Sequence, residues 1–119
     1  MSKSRWFSVV VDAHDLPALA TFWQEVLGYH RFYEAPDEIV LTADAEGNRE
    51  PGLVIVTVPE GKTVKNRLHI DLAPDDRDAE VERLLALGAT RVDVGQTGEE
   101  SWVVLADPEG NEFCVLSAR

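Results

Sequence analysis

Alternate residues of the run RLHIDL carry a guanidinium, an imidazole and a carboxylate: Arg67, His69 and Asp71. In an extended strand these three share one face, and Leu68, Ile70 and Leu72 share the other. An imidazole beside a carboxylate can take a proton near neutral pH, or hydrogen-bond a ligand. It can equally be a core histidine satisfied by its neighbour, and the sequence leaves both readings open. The single cysteine, Cys114, lies in EFCVLS. A reactive thiolate needs an activating neighbour, and His69 is one candidate. No glycine-rich turn or helix start adjoins Cys114, so a small buried hydrophobe is the favoured reading. Ser8 lacks the GxSxG setting of an activated serine and is read as lining a pocket or closing a local hydrogen bond. Trp6 and Trp102 can fall where an indole stacks a planar ligand, although plain packing is preferred for each. The basic residues of KTVKNR, Lys62 to Arg67, are read as solvating a linker and ordering the start of the next strand.

Two similar halves position these residues. LPALATFWQEVLG has Leu16, Leu19, Phe22, Trp23, Val26 and Leu27 at helical spacing, with Asp15 as N-cap, Pro17 in the first turn and Gly28 as stop. Trp23 therefore belongs to the core. DDRDAEVERLLALG repeats the plan, with Ala79, Val81, Leu84 and Leu85 as the apolar stripe, Asp75 or Asp76 as cap and Gly88 as stop. The acidic residues around that helix start match its dipole. A strand-like run precedes each helix, WFSVVVD and RLHIDL. Three follow each: YHRFYE, EIVLTA and LVIVTV, then TRVDV, SWVVLA and EFCVLS. DAEGN and DPEGN are turn signals at the same place in each half. The spacing predicts β-α-β-β-β twice, with module one at about 5–60, module two at about 66–118, and PEGKTVKN as a joint too short to separate two domains. Phe7, Val9 and Val11 would pack under the first helix, and Leu68, Ile70 and Leu72 under the second.

The bulk composition narrows the function classes. The 119 residues suit one domain with a proper core. A net charge of −11 repels phosphate backbones, which argues against nucleic acid; its main use is solubility. No apolar run approaches the ~20 residues of a membrane span, and MSKSRWFSVVV lacks the h-region of a signal peptide. One cysteine makes no internal disulfide, so a cytoplasmic location is the expectation.

DLPALATFWQEVLGY, KNRLHIDL, LLALGATRV and WVVLADPEGNEFCVL together resemble the vicinal oxygen chelate superfamily, in its glyoxalase-like and bleomycin-resistance-like branch. The resemblance implies one α+β domain over 1–119, whose two tandem βαβββ modules form curved mixed sheets around a central cavity, with the helices outside. It also implies a small organic ligand there and allows a homodimer, since relatives often dimerise, sometimes exchanging modules between chains. Metal enzymes of the superfamily hold a divalent ion with four side chains, usually His, Glu or Gln, one from the first and last strand of each module. Those positions fall on Ser8, Val56 (or Val54 in a shifted register), His69 and Cys114. Serine is a poor ligand and valine is none, so no tightly bound metal is expected and no cofactor is assigned. With a divalent metal, His69 and Cys114 would hold it, and Asp71 or Asp12 would have to be recruited. Ser8, Val56, Arg67, His69, Asp71, Trp102 and Cys114 are the expected ligand-binding residues. The alternative is a lyase, isomerase or dioxygenase of the superfamily, with His69 as base or metal ligand.

Overall fold

The computed structural model describes residues 3–92 and 101–118. Between Gly61 and Lys62 the chain divides into two compact units, one for each half read from the sequence.

The first unit has five elements: β1 (Ser8–Ala13), α1 (Leu16–Leu27), β2 (His30–Ala35), β3 (Glu38–Thr42) and β4 (Gly52–Thr57). The strands form one mixed sheet in the order β1-β4-β3-β2, with β1 parallel to β4 and the other pairs antiparallel. The Asp15 side chain caps α1 by accepting from Ala18 N, at 3.3 Å. Gly28 ends the helix at φ 65°, a left-handed conformation that costs glycine least. The predicted stripe is the one buried: Leu16, Leu19, Phe22, Trp23 and Val26 face inward, with Ile39, Leu41, Leu53 and Ile55 of the sheet also buried. Phe22 and Trp23 meet edge to face, 5.3 Å between ring centres. Two expectations fail at the N-terminal edge. β1 begins only at Ser8, and Trp6 and Phe7 lie ahead of it, 70% and 64% exposed. Phe7 O still accepts from Gly52 N at 3.1 Å, but the Phe7 side chain stays in solvent and does not pack under the helix.

The second unit repeats the order: β5 (Asp71–Leu72), α2 (Arg77–Leu87), β6 (Thr90–Arg91), β7 (Trp102–Ala106) and β8 (Glu112–Leu116). Its sheet runs β5-β8-β7-β6, again with one parallel pair, β5 and β8. The molecule is thus α+β, two βαβββ modules each with a four-stranded mixed sheet. Asp76 caps α2 by accepting from Ala79 N at 3.1 Å, and Val81 and Leu84 are its buried residues. Ala79, expected in that stripe, is exposed. The helix packs on β8, whose Phe113 and Val115 are buried together with Leu105 of β7.

The two turn signals fold alike. Asp44 Oδ1 accepts from the backbone of Asn48 and Arg49, and Asp107 Oδ1 from that of Glu109 and Asn111. Gly47 and Gly110 follow with φ of 76° and 89°. RLHIDL departs most from expectation. Only Asp71 and Leu72 are strand, and Leu68, expected beneath α2, is 89% exposed. The run TRVDV is strand at Thr90–Arg91, and its residues 93 and 94 lie outside the described part. Among the described residues no helix is long and apolar enough to cross a membrane.

Candidate functional site

The site grows from the ladder of the second sheet. Asp71 of β5 lies directly opposite Cys114 of β8, which lies opposite Val104 of β7. Residues opposite one another in a ladder share a face, so the Asp71 carboxylate and the Cys114 thiol project together. His69 stands two positions before Asp71, and the backbone there is still tied to β8, Cys114 N donating to Ile70 O at 2.9 Å. His69 therefore reaches the same face although it precedes the strand proper. Its Nδ1 lies 3.0 Å from Asp71 Oδ1, with both side chains about half exposed. One imidazole nitrogen, one carboxylate oxygen and the Cys114 sulfur all lie within 4.8 Å of one another.

These side chains line an open cleft of about 510 Å³ with Ser101, Trp102 and Leu116. That volume is within the roughly 300–1,000 Å³ usual for small-molecule sites. Trp102 pairs with Leu116 across the β7–β8 ladder, so indole and isobutyl group form the apolar part of the lining. Burial, then the Asp71 charge and the thiol's hydrogen bond to it, push the Cys114 thiol above its ordinary range; Lys65 pulls the other way. At neutral pH Cys114 is a protonated thiol, not a nucleophile waiting for substrate.

A second polar group lies on the same face of β8. Glu112 is buried, its Oε2 lies 2.7 Å from Lys62 Nζ, and its Oε1 accepts from Asn66 N at 3.2 Å. Burial raises its carboxyl, but Lys62, the backbone amides and the ammonium charge outweigh that and hold it below its ordinary value. The start of the second unit is thereby strapped to the strand that carries Cys114.

Of the residues expected at the site, His69, Asp71, Trp102 and Cys114 line this one cleft, and Arg67, exposed, is not part of the lining. Ser8 and Val56 belong to the first unit, both half-buried. There Ser8 pairs with Gly52 and Val10 with Val54, while Val56 pairs with Asp12 and Glu38. Val54, two residues beyond Gly52, thus holds the place in β4 that Cys114, two beyond Glu112, holds in β8. Sequence reading missed Ser101 and Leu116. Period two from Cys114 would have found Leu116, and the backbone bond from Ser117 N to Ser101 O, 2.8 Å, brings Ser101 to it across the hairpin.

The sequence matches the family described as a glyoxalase-like domain over residues 8–116. The chain belongs to this family, within the glyoxalase and bleomycin-resistance superfamily. No curated protein matches it. Among solved structures it is similar to a glyoxalase/bleomycin resistance protein/dioxygenase family enzyme from Burkholderia phytofirmans, at 20% identity and TM-score 0.74, covering 98% of this chain and 100% of that one. It is also similar to the fosfomycin resistance protein FosX of Listeria monocytogenes, in a mutant complexed with Mn(II) and a dihydroxypropylphosphonic acid, at 15% identity and TM-score 0.74, covering 100% and 93%. The trypanothione-dependent glyoxalase I of Leishmania major follows at 15% identity and TM-score 0.71, covering 97% and 87%. Identities this low establish the shared fold and nothing finer.

The superfamily's metal enzymes raise the question whether an ion fits here. By donor chemistry it does: imidazole, carboxylate and thiolate are zinc-type ligands. His69, Asp71 and Cys114 would hold the ion, which would supply Lewis acidity when bound. Two of the three donors are half exposed, and Ser8 and the valines offer none comparable.

Proposed function

We propose that the second module's cleft binds a small organic molecule, and that this binding needs no tightly resident metal ion. The observation that carries the reading is the cleft's mixed lining. Trp102 and Leu116 offer an apolar surface for a flat ring, while Asp71 and His69 offer a hydrogen-bonding, partly anionic edge. A planar ligand with a cationic or donor group suits both, the indole by stacking and the carboxylate by charge. Kinship with proteins named for bleomycin resistance supports sequestration of a drug-like molecule as one form of this function. Thermal-shift and tryptophan-fluorescence titrations, in the presence of a chelator, against cationic aromatic compounds and metabolites test it. Saturable stabilisation that is lost in both Trp102→Ala and Asp71→Asn is expected. A flat response across the whole library would refute the proposal.

A second reading is favoured by the 3.0 Å contact between His69 Nδ1 and Asp71. A carboxylate that holds one ring nitrogen leaves the other free to act as base, the arrangement a lyase or isomerase needs. A dioxygenase would use His69 as a metal ligand instead. Turnover of a candidate substrate that survives chelation and vanishes in His69→Gln would favour the metal-free enzyme.

A further inference from the structure

We infer that the free edge of β1 pairs with the same edge of a second copy of this chain, antiparallel and about a two-fold axis at Val9. This pairing is independent of the cleft and of what binds there. Among the described residues β1 has a ladder partner on one side only, β4. Phe7 O accepts from Gly52 N and Ala13 O from Val58 N, so the odd-numbered residues turn their backbone groups to β4. Ser8, Val10 and Asp12, between them, turn N–H and C=O to the other side. Such open rows are usually blunted by charge, proline or a bulge. β2, the opposite edge of the same sheet, is blunted: a bulge falls between Arg31 and Tyr33. β1 runs unbroken for six residues, SVVVDA, and its only charged side chain is Asp12 near the end.

Three features of this edge select a second copy as its occupant. The first is apolar surface: Trp6, Phe7 and Val10 are each more than half exposed. A two-fold at Val9 pairs the stretch that holds them with itself, Ser8 opposite Val10, Phe7 opposite Val11 and Trp6 opposite Asp12. Phe7 then covers Val11 of the second copy. The second feature is hydrogen bonding. In an antiparallel pair, opposed residues exchange bonds only where both turn their backbone groups to the partner. Ser8 and Val10 both do, so this register satisfies them in each direction. Charge is the third. Lys3 and Arg5 precede the strand, and Asp12 and Asp15 lie at its far end. Glu50 Oε1 holds Arg5 Nε at 2.9 Å, which fixes the guanidinium at this edge. Antiparallel pairing lays the basic end of one copy along the acidic end of the other, whereas parallel pairing would set like against like, which destabilises a sheet. The net charge of −11 repels a second copy in general, and this end-to-end match is the local exception.

Sedimentation equilibrium of the untagged whole chain at rising concentration should show a reversible monomer–dimer equilibrium. Val10→Pro removes an outward N–H and none that serves β4, and proline is tolerated on an edge strand. With one hydrogen bond lost in each direction, its dimer dissociation constant should rise about tenfold or more while circular dichroism stays native. Disulfide trapping with oxidised glutathione, in a Cys114→Ala background, reads the register. Val9 lies on the axis opposite its own copy, where the Cα atoms of a non-hydrogen-bonded pair stand about 4.5 Å apart, within reach of a disulfide. Val9→Cys should therefore yield a covalent dimer, and Val11→Cys, roughly 13 Å from its copy, should not. If Val10→Pro fails to fold, the trapping pair still decides. A monomer at every concentration, a dimer indifferent to a natively folded Val10→Pro, or equal trapping of the two variants would overturn the inference. So would a monomer whose β1 edge takes up an unrelated extended peptide, since the occupant would then be a foreign chain.

Discussion

Replacing Lys62 by methionine leaves the Glu112 carboxylate buried with little beyond the amide of Asn66 to answer it. The two side chains are 19% and 10% exposed and meet at 2.7 Å. Removing one partner from a buried ion pair costs about 3–5 kcal/mol, chiefly through the charge left behind. Asn66 N still donates, and the pair sits near the surface, so about 3 kcal/mol is expected for Lys62→Met. Urea unfolding at pH 7 followed by circular dichroism reads this as a midpoint lowered by roughly 1–3 M, at a slope of about 1–3 kcal/mol/M. The pH dependence supplies the sign. Glu112 is held below its ordinary value of 4.5 in the folded state. Its contribution is complete above the unfolded value and is lost as pH falls through the folded one. The deficit of Lys62→Met should therefore be full at pH 6–7 and shrink in acid as the carboxyl of both proteins takes a proton. Lys62→Met combined with Glu112→Leu should recover most of the loss, because no buried charge remains. A loss under about 0.5 kcal/mol, the range of ordinary surface substitutions, would refute the argument. So would a loss equally large at pH 3, which would trace to packing of the lysine stem instead.

Gly47→Ala should destabilise by more than about 1–2 kcal/mol, since φ is 76° and a new methyl would fall 2.5 Å from the Phe32 ring; calorimetry would show it as a lowered Tm. Cys114 should react slowly with iodoacetamide at pH 8, and Asp71→Asn should speed alkylation severalfold by removing the charge that raises the thiol, as read by intact-mass kinetics. Asp76→Ala removes the α2 cap and should cost about 1 kcal/mol in urea unfolding at pH 7.

The two helices were legible because spacing, cap and stop agree: Asp15 with Gly28, and Asp76 with Gly88, bracket stripes that do bury Trp23 and Leu84. The turn pair DAEGN and DPEGN was equally plain, since an aspartate that caps backbone amides and a glycine at positive φ are local requirements. Strand limits were not local. Leu68 and Phe7 follow the right alternation, yet both are exposed: Leu68 precedes the ladder, and Phe7 sits at its very edge, held only through Gly52 N to Phe7 O. The cleft was half visible. Period two placed His69 beside Asp71, yet their meeting with Cys114 depends on the parallel register of β5 and β8, which no stretch of sequence states. The same register makes Val54 the counterpart of Cys114.

The shortness of β5 has a bearing on self-association. An edge strand displays unpaired backbone groups to which a foreign chain can add another strand, and long apolar edges invite fibrils. Here that edge is two residues, one of them Asp71, with only the bond from Cys114 N to Ile70 O ahead of it. A strand that sets Asp71 against the thiol yet stops after two residues therefore denies an intruding strand the length it needs to take hold.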